Sequence, residues 1–354
     1  MWKKTLLILF AALGIAGFCA VAALAGVEET WKSVRNVGFG CVAAYFAACL
    51  GTLVFPALGW HLLLRAENVR LSLFDTLRAN VMGFPVNFIT PSMYLGSEPL
   101  KVFYISGISG ASKRAVLATV IVSKFQELVG LSLGLVLCAI YFAWNTTLID
   151  IRSEALLLIT TLVLAALLGL VFYAIVGDFR PTVRFINLLA RLGVAKRKLA
   201  RLRSRADEME QMIRDAFTRR WRRFLLAQFL TLLSSVTLLL RPVLFFRFLP
   251  GAPALPLEHL AGIFLVTNLA NLFTIAPGSL GFYDGGVTAY FKLAADLRVS
   301  DGHALTVVNR ICDLILLIAG SWLIVRHGLL RIARGKEKVD LDPPRGGNPE
   351  RAGS

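Results

Sequence analysis

The chain has 354 residues, of which 56% are hydrophobic, and its formal net charge is +16 at pH 7. A soluble domain with this share of apolar residues would expose large apolar patches, so the composition excludes an ordinary water-soluble fold. The basic residues lie mainly between apolar runs, where the positive-inside rule and anionic lipid headgroups account for them. We therefore expect a polytopic membrane protein that does not bind nucleic acid.

Six apolar runs are long enough to cross a hydrocarbon core, which takes about 20 apolar residues. They cover residues 6–27, 37–64, 115–141, 155–176, 224–249 and 304–325. The first run also has the basic, apolar and small-residue layout of a signal peptide, so a retained helix and a cleaved signal both stay open. The sequence predicts an all-α fold with six full transmembrane helices.

Two further segments, 71–105 and 259–295, are apolar but broken by polar residues and by a corner of proline and glycine. Each is predicted to form a re-entrant pair of short helices, since irregular backbone is tolerated at membrane depth only where protein or a water-filled cavity covers it. The residues expected to act as structural hinges at these corners are Pro91, Gly96, Pro277, Gly278 and Gly281.

The two corners belong to an internal duplication. The stretch 91–98 reappears at 277–284, an offset of 186 residues (277 − 91 and 284 − 98). The same offset carries the basic-x-x-acidic tetrad 124–127 onto 310–313, and Pro56 onto Pro242. Paired prolines, acids and charged tetrads at one offset indicate a repeat.

Charge bias gives the repeat an orientation. Lys and Arg fall in the loops that are cytoplasmic if the N-terminus is inside, which predicts a plasma membrane protein (a bacterial inner membrane) with both termini cytoplasmic. Three crossings separate the equivalent helices 37–64 and 224–249, so the halves are expected to be inverted. We expect one transmembrane domain, 1–330, with repeats at about 37–143 and 223–327, a basic amphipathic connector at 178–222 and a disordered tail at 331–354. The connector is either a sensor of anionic lipid or a segment that only sets orientation.

The candidate site combines the charges that fall inside membrane segments. Lys124 is expected about 15 Å into its helix, near the bilayer centre, and Arg310 somewhat shallower. Each can pair with an acid at i+3, which leaves two interpretations: a structural lock, or a polar midplane cavity that holds a lipid headgroup. The predicted substrate-binding residues are Glu98, Lys101, Lys124, Glu127, Asp284, Arg310 and Asp313.

Two of these acids have a second interpretation. Glu98 and Asp284 follow the predicted corners and stand at the N-termini of short helices, so they are either helix caps or ligands. The four histidines form no metal-binding spacing, no nucleophilic triad is evident, and no P-loop is present. We therefore expect no metal, no cofactor and no catalytic residue.

At these residues the chain resembles a known family. Pro91-x-x-x-x-Gly-Ser-Glu-Pro-Leu-Lys101 is similar to the P-x-x-x-G-[GD]-E-x-x-R element of the lysylphosphatidylglycerol synthase transmembrane-region family, also called flippase-like. Lys124-x-x-Glu127 resembles its later E-R-x-x-D/E helix, and residues 277–284 resemble its P-G-G-L-G-x-x-E element. The chain departs from the pattern where lysines replace arginines at 101 and 124, serine stands at 97, and aspartate replaces glutamate at 284.

The resemblance implies a lipid-translocating membrane module in its stand-alone form, without the soluble synthase domain. The expected partners are membrane lipids with an anionic or zwitterionic headgroup, with lipid-biosynthesis enzymes and a homo-oligomer left open. Lipid cargo could be a phospholipid, glycolipid, hopanoid or polyprenyl-linked lipid. Two alternatives remain: an integral-membrane transferase acting on a lipid carrier, and a scaffold of a lipid-biosynthesis complex that does not transport.

Overall fold

The computed structural model describes residues 37–90, 96–145, 220–249, 255–272, 277–293 and 298–327, with isolated helical positions at 28, 31, 32, 35, 162, 166, 169, 211 and 215. Across those ranges the chain forms eight bounded α-helices, one 3-10 turn and no strand. The helices are α1 Phe39–Ala66, α2 Leu73–Ile89, α3 Glu98–Ser109, α4 Lys113–Asn145, α5 Trp221–Phe248, α6 Leu257–Leu272, α7 Phe282–Leu293 and α8 Val299–Arg326. The prediction of an all-α fold is confirmed.

Four of these helices are long and apolar enough to cross a membrane. They are α1, α4, α5 and α8, and each has an apolar stretch of 18 residues with few charges. They match the predicted crossings at 37–64, 115–141, 224–249 and 304–325. The predicted crossings at 6–27 and 155–176, the connector and the tail lie outside the described residues, apart from the isolated positions.

Each predicted re-entrant segment forms two short helices, and local sequence explains their ends. Ser72 begins α2 with a capping box: its hydroxyl accepts from the Asp75 amide at 3.2 Å, and the Asp75 carboxylate accepts from the Ser72 amide at 3.3 Å. Pro99 lies in the first turn of α3, where a missing N–H costs nothing, and Gly110 ends that helix with φ +68°. The second pair, α6 and α7, is separated by the 3-10 turn Pro277–Ser279.

The last long helix begins earlier than its hydropathy suggests. The apolar run starts at Ala304, but α8 begins at Val299, so the predicted boundary is five residues late (304 − 299). Polar residues form its first turn: the Arg298 side chain donates to the Asp301 carboxylate at 2.9 Å, and Gly302 packs on the Phe291 ring. Hydropathy marks where apolar residues begin, whereas backbone hydrogen bonding also includes a polar first turn.

The described helices fall into two sets of four in the same order, α1–α4 and α5–α8. The equivalent helices α1 and α5 pack along each other in opposite directions, with Gly51 against Thr237 and Gly59 against Ala227. Gly51 and Thr237 are also equivalent positions, 186 residues apart. Contact between equivalent residues places the two halves around a common centre.

Buried apolar side chains form two clusters at opposite ends of the long helices. The α2–α3 core joins α2 and α3 to the C-terminal part of α1 and the N-terminal parts of α4 and α5. The α6–α7 core joins α6 and α7 to the N-terminal parts of α1 and α8 and the C-terminal parts of α4 and α5. The last turns of α8 pack against the α2–α3 core. Thus α1 and α5 run between the cores in opposite directions, and so do α4 and α8.

A pair of equivalent glycines joins each long helix to a short helix of the other half. A side chain at Gly134 on α4 would meet the Phe264 ring of α6 at 3.1 Å. A side chain at Gly320 on α8 would meet the Val81 carbonyl oxygen and, at 2.6 Å, Pro85 Cδ, both on α2. Glycine is therefore required for these close approaches.

We expect Gly320→Ala to lower the free energy of unfolding by about 1–3 kcal/mol, because the new methyl group overlaps α2 backbone that cannot rotate aside. Gly134→Ala should cost less, since it meets only the edge of a ring. Unfolding of the purified protein in detergent micelles, by heat or by SDS titration, measures both changes.

Gly107→Ala serves as the control, because no atom lies within 4 Å of the position that its side chain would take. This variant should be unchanged or more stable by up to about 1 kcal/mol through helix propensity. Equal effects at Gly320 and Gly107 would contradict the close packing of α8 on α2.

Candidate functional site

A polar cavity of about 290 Å³ lies between the two apolar cores. The middle parts of all four long helices line it, between residues 49 and 56, 124 and 131, 231 and 241, and 309 and 316. We call it the central cavity. Its charged lining residues are Lys101, Lys124, Glu127, Arg241, Arg310 and Asp313, and its amide lining residues are Asn80, Asn87, Asn268, Asn271 and Asn309.

The first charge cluster is built around Lys124 of α4. Its ammonium lies 2.7 Å from the Glu127 carboxylate, one turn further along the same helix, and 3.5 Å from the Glu98 carboxylate at the start of α3. The contact with Glu127 is a directed hydrogen bond, whereas Glu98 lies at ion-pair distance only. The Lys124 and Glu98 side chains are about seven-eighths buried, with exposures of 13% and 12%. One cation therefore sits between two carboxylates from different helices.

The second charge cluster repeats this arrangement around Arg310 of α8. The Arg310 guanidinium lies 2.8 Å from the fully buried Asp284 carboxylate at the start of α7, and 3.4 Å from the Asp313 carboxylate. Asp313 also accepts from the Asn309 side chain at 3.0 Å, and Asn309 accepts in turn from the Tyr45 hydroxyl of α1 at 3.0 Å. The second cluster is thus more extensively hydrogen-bonded than the first.

The two central cations lie at the same distance along their helices. Lys124 comes eleven residues after the start of α4 (124 − 113), and Arg310 eleven after the start of α8 (310 − 299). At 1.5 Å per residue this is about 16 Å along each axis. The expectation that Arg310 is shallower is wrong, because it rested on the late helix start at Ala304. The corrected boundary makes the two clusters equivalent in depth.

Backbone breaks next to the clusters are satisfied by polar side chains. The Asn87 side chain accepts from the Ser97 amide at 2.8 Å, ahead of α3. In the second half, Arg310 donates to the Gly278 carbonyl at 2.7 Å, and Asp284 accepts from the Gly281 amide at 3.2 Å. Asp284 is therefore both the counter-ion of Arg310 and a cap of the turn before α7, while Glu98 and Asp284 do not line the cavity.

The hinge residues have different outcomes. Gly278 and Gly281 have φ of +62° and +81°, in the left-handed region that favours glycine. Gly278 also packs on the Phe88 ring of α2, where a side chain would meet Cε1 at 2.6 Å. Gly96 lies in the turn before α3, and Pro91 lies outside the described residues.

The cavity has one cation that the sequence analysis missed. Arg241 of α5 lines the cavity and donates to the Thr52 hydroxyl of α1 at 2.7 Å. A signal for it was available: it is a lone arginine next to Pro242 inside an apolar run, and intramembrane charges are rarely incidental. The search for charges paired at the repeat offset passed over it, because Phe55 stands at the equivalent position.

All seven predicted site residues converge on one region. Five line the central cavity, and Glu98 and Asp284 neutralise its cations from behind. The cavity offers guanidinium and ammonium donors, carboxylate acceptors and neutral amides, which suits polar or charged groups. In the described part of the chain no group of three or more His, Cys, Asp or Glu side chains could hold a metal ion.

These features define a helical membrane protein with a charge-lined cavity between two apolar cores. The chain belongs to the lysylphosphatidylglycerol synthase TM region family, which matches it over residues 7–320. The resemblance seen in the Pro-Gly elements and the charged tetrads is therefore confirmed.

The chain is also similar to archaeal proteins described as UPF0104 membrane proteins. It is 20% identical to one from Methanocaldococcus jannaschii over 89% of this chain and 91% of that one. It is 22% identical to one from Methanothermobacter thermautotrophicus over 90% and 93%, respectively. A match to one from Pyrococcus horikoshii is 26% identical, but it spans only 39% of this chain and 41% of that relative. No solved structure matches the chain.

We expect Gly278→Ala to destabilise the protein by clearly more than Gly110→Ala. Both glycines have a left-handed backbone, which costs another residue about 1–2 kcal/mol. Only Gly278 also faces a ring, since nothing lies within 4 Å of a side chain at Gly110. The free energy of unfolding in detergent micelles measures the difference, and Phe88→Ala in the Gly278→Ala background should recover part of it. Equal losses for the two single variants would contradict this packing.

We expect Asp284→Asn to cost about 3–5 kcal/mol of stability, because it leaves a buried guanidinium without its nearest counter-ion. Glu98→Gln should cost less, since Lys124 keeps its 2.7 Å hydrogen bond to Glu127. The double variant Asp284→Asn with Arg310→Gln should recover much of the loss. The same unfolding assay measures all three, and a Glu98→Gln loss as large as that of Asp284→Asn would contradict the stated difference between the clusters.

Proposed function

We propose that this protein moves the polar headgroup of a membrane lipid between the two leaflets, through the central cavity. One observation carries the proposal: both charge clusters open into one polar cavity, midway along four helices that are long and apolar enough to span a membrane. Ionisable groups at that depth are costly and usually mark a substrate pathway. The polar headgroup would cross inside the protein while the acyl chains stay in the lipid.

Six crossings and two re-entrant helix pairs, arranged as an inverted repeat, are the topology that we propose. The opposite directions of α1 and α5, and of α4 and α8, support the inversion. The short pairs α2–α3 and α6–α7 lie in opposite cores, as expected if one enters from each side of the membrane. In transporters of this kind the substrate site lies near the midplane, where broken helices meet. The charge bias of the loops supports a plasma membrane location with both termini in the cytoplasm.

The equivalence of the clusters suggests how a headgroup would pass. Lys124 and Arg310 are each held by two carboxylates, so a charged headgroup can exchange places with an internal partner without leaving a bare ion. The guanidinium of Arg310 presents a planar fork of donors, and the ammonium of Lys124 a compact charge. A headgroup would contact the clusters in turn as it moves between the halves.

Reconstitution in liposomes tests the proposal. The probe is a phospholipid labelled on its acyl chain with NBD, and dithionite reports the fraction of label that reaches the outer leaflet. We expect vesicles with protein to expose inner-leaflet label faster than protein-free vesicles. Lys124→Gln and Arg310→Gln should each slow this by at least tenfold, because each removes a charge that contacts the passing headgroup.

Lys292→Gln and Arg247→Gln are the matched controls, since both residues are exposed and lie in the last turns of α7 and α5. These variants should retain the wild-type rate, and gel filtration shows whether each variant is folded. Protein-containing vesicles no faster than empty ones would overturn translocation. Turnover of a nucleotide-activated sugar or phosphate donor by the same preparation would favour the transferase instead.

A further inference from the structure

The four cations that line the central cavity differ in their partners. Lys124 and Arg310 each lie within ion-pair distance of two carboxylates. Within the described part of the chain, neither Lys101 nor Arg241 has a carboxylate at that distance. Lys101 lies 5.8 Å from the centre of the Trp60 ring, and Arg241 donates to the hydroxyl of Thr52. Two cations are thus committed to ion pairs and two are available to a ligand.

The available cations are not part of the duplicated pattern. Val287 and Phe55 stand at the positions 186 residues away from Lys101 and Arg241. Each half has therefore added one cation on a different helix, Lys101 on α3 and Arg241 on α5. Both are nearly buried among apolar segments, where a charge without a counter-ion costs several kcal/mol. A recurrent addition at this cost indicates a ligand that supplies negative charge.

The charges around the cavity nevertheless cancel. The four cations are matched by four carboxylates, namely Glu98, Glu127, Asp284 and Asp313. Of these acids, Glu127 and Asp313 line the cavity, while Glu98 and Asp284 lie behind it. A ligand with a net charge would add an uncompensated charge at membrane depth. A ligand that carries both signs would instead meet available cations and exposed carboxylates together.

We propose that the central cavity selects a zwitterionic phospholipid headgroup, with Lys101 and Arg241 binding its phosphodiester and Glu127 and Asp313 binding its ammonium group. The inference rests on the proposed function and adds the class of headgroup to it. Each half then offers one complete binding position: Lys101 with Glu127, and Arg241 with Asp313. The phosphodiester accepts hydrogen bonds from the ammonium of Lys101 or the guanidinium of Arg241, and the lipid ammonium donates to a carboxylate.

Equilibrium binding tests this without transport. Acyl-labelled phosphatidylethanolamine bound to the detergent-solubilised protein is displaced by unlabelled phosphatidylethanolamine, phosphatidylglycerol or diacylglycerol. We expect phosphatidylethanolamine to displace at least tenfold better than the anionic or the uncharged lipid. Lys101→Gln and Arg241→Gln should each lower its affinity at least tenfold, whereas the exposed controls Lys292→Gln and Arg247→Gln should not.

Substitutions of opposite sign separate charge selection from a loss of folding. Glu127→Gln leaves the cavity with one excess positive charge, so its preference should shift toward phosphatidylglycerol. Lys101→Gln leaves one excess negative charge, so phosphatidylglycerol should bind this variant worst of all. An unfolded variant would bind every lipid poorly and could not show opposite shifts.

Several results would overturn the inference. Wild-type protein that binds phosphatidylglycerol as well as phosphatidylethanolamine would do so, and so would shifts in the same direction for both charge variants. Soluble glycerophosphoethanolamine that competes as well as the lipid would show that the ligand is not a lipid. Selective binding without translocation in liposomes would leave the inference standing and overturn the proposed function. Translocation without headgroup preference would do the reverse.

Discussion

A charge placed halfway along an apolar helix has to be neutralised inside the protein. Each half of this chain meets that constraint with one cation between two carboxylates, one from its own helix and one from the start of a short helix. Because the partners come from different elements, the charge cluster also joins the short helices to the long one. The glycine contacts and the two apolar cores then hold the clusters on opposite sides of one cavity.

Duplication explains the equivalence of the halves, and divergence explains their differences. Arg310 can bind Asp284 and the Gly278 carbonyl at once, because a guanidinium has several donors in one plane. Lys124, a point charge, makes one short hydrogen bond and one longer ion pair. The second half is accordingly the more tightly connected, through a chain of hydrogen bonds that reaches Tyr45 on α1.

The same substitution pattern separates structural from available charge. Lys124 and Arg310 occupy equivalent positions and have internal counter-ions, as residues do that hold a repeat together. Lys101 and Arg241 have Val287 and Phe55 as equivalents and keep their donors toward the cavity. Charges that a fold needs recur with the repeat, whereas charges that a ligand needs follow the shape of the site.

The sequence by itself determined the all-α class, four of the spanning helices, both broken segments and the pairing of charges at i and i+3. These follow from local properties: apolar run length, Pro/Gly corners and the helical period. It misplaced the start of α8, because hydropathy does not register a polar first turn. Only the tertiary structure decided that both clusters share one cavity, that Glu98 and Asp284 lie behind it, and that Arg241 belongs to it. Those facts depend on how helices distant in sequence cross, and crossing depends on packing between side chains that no local pattern brings together.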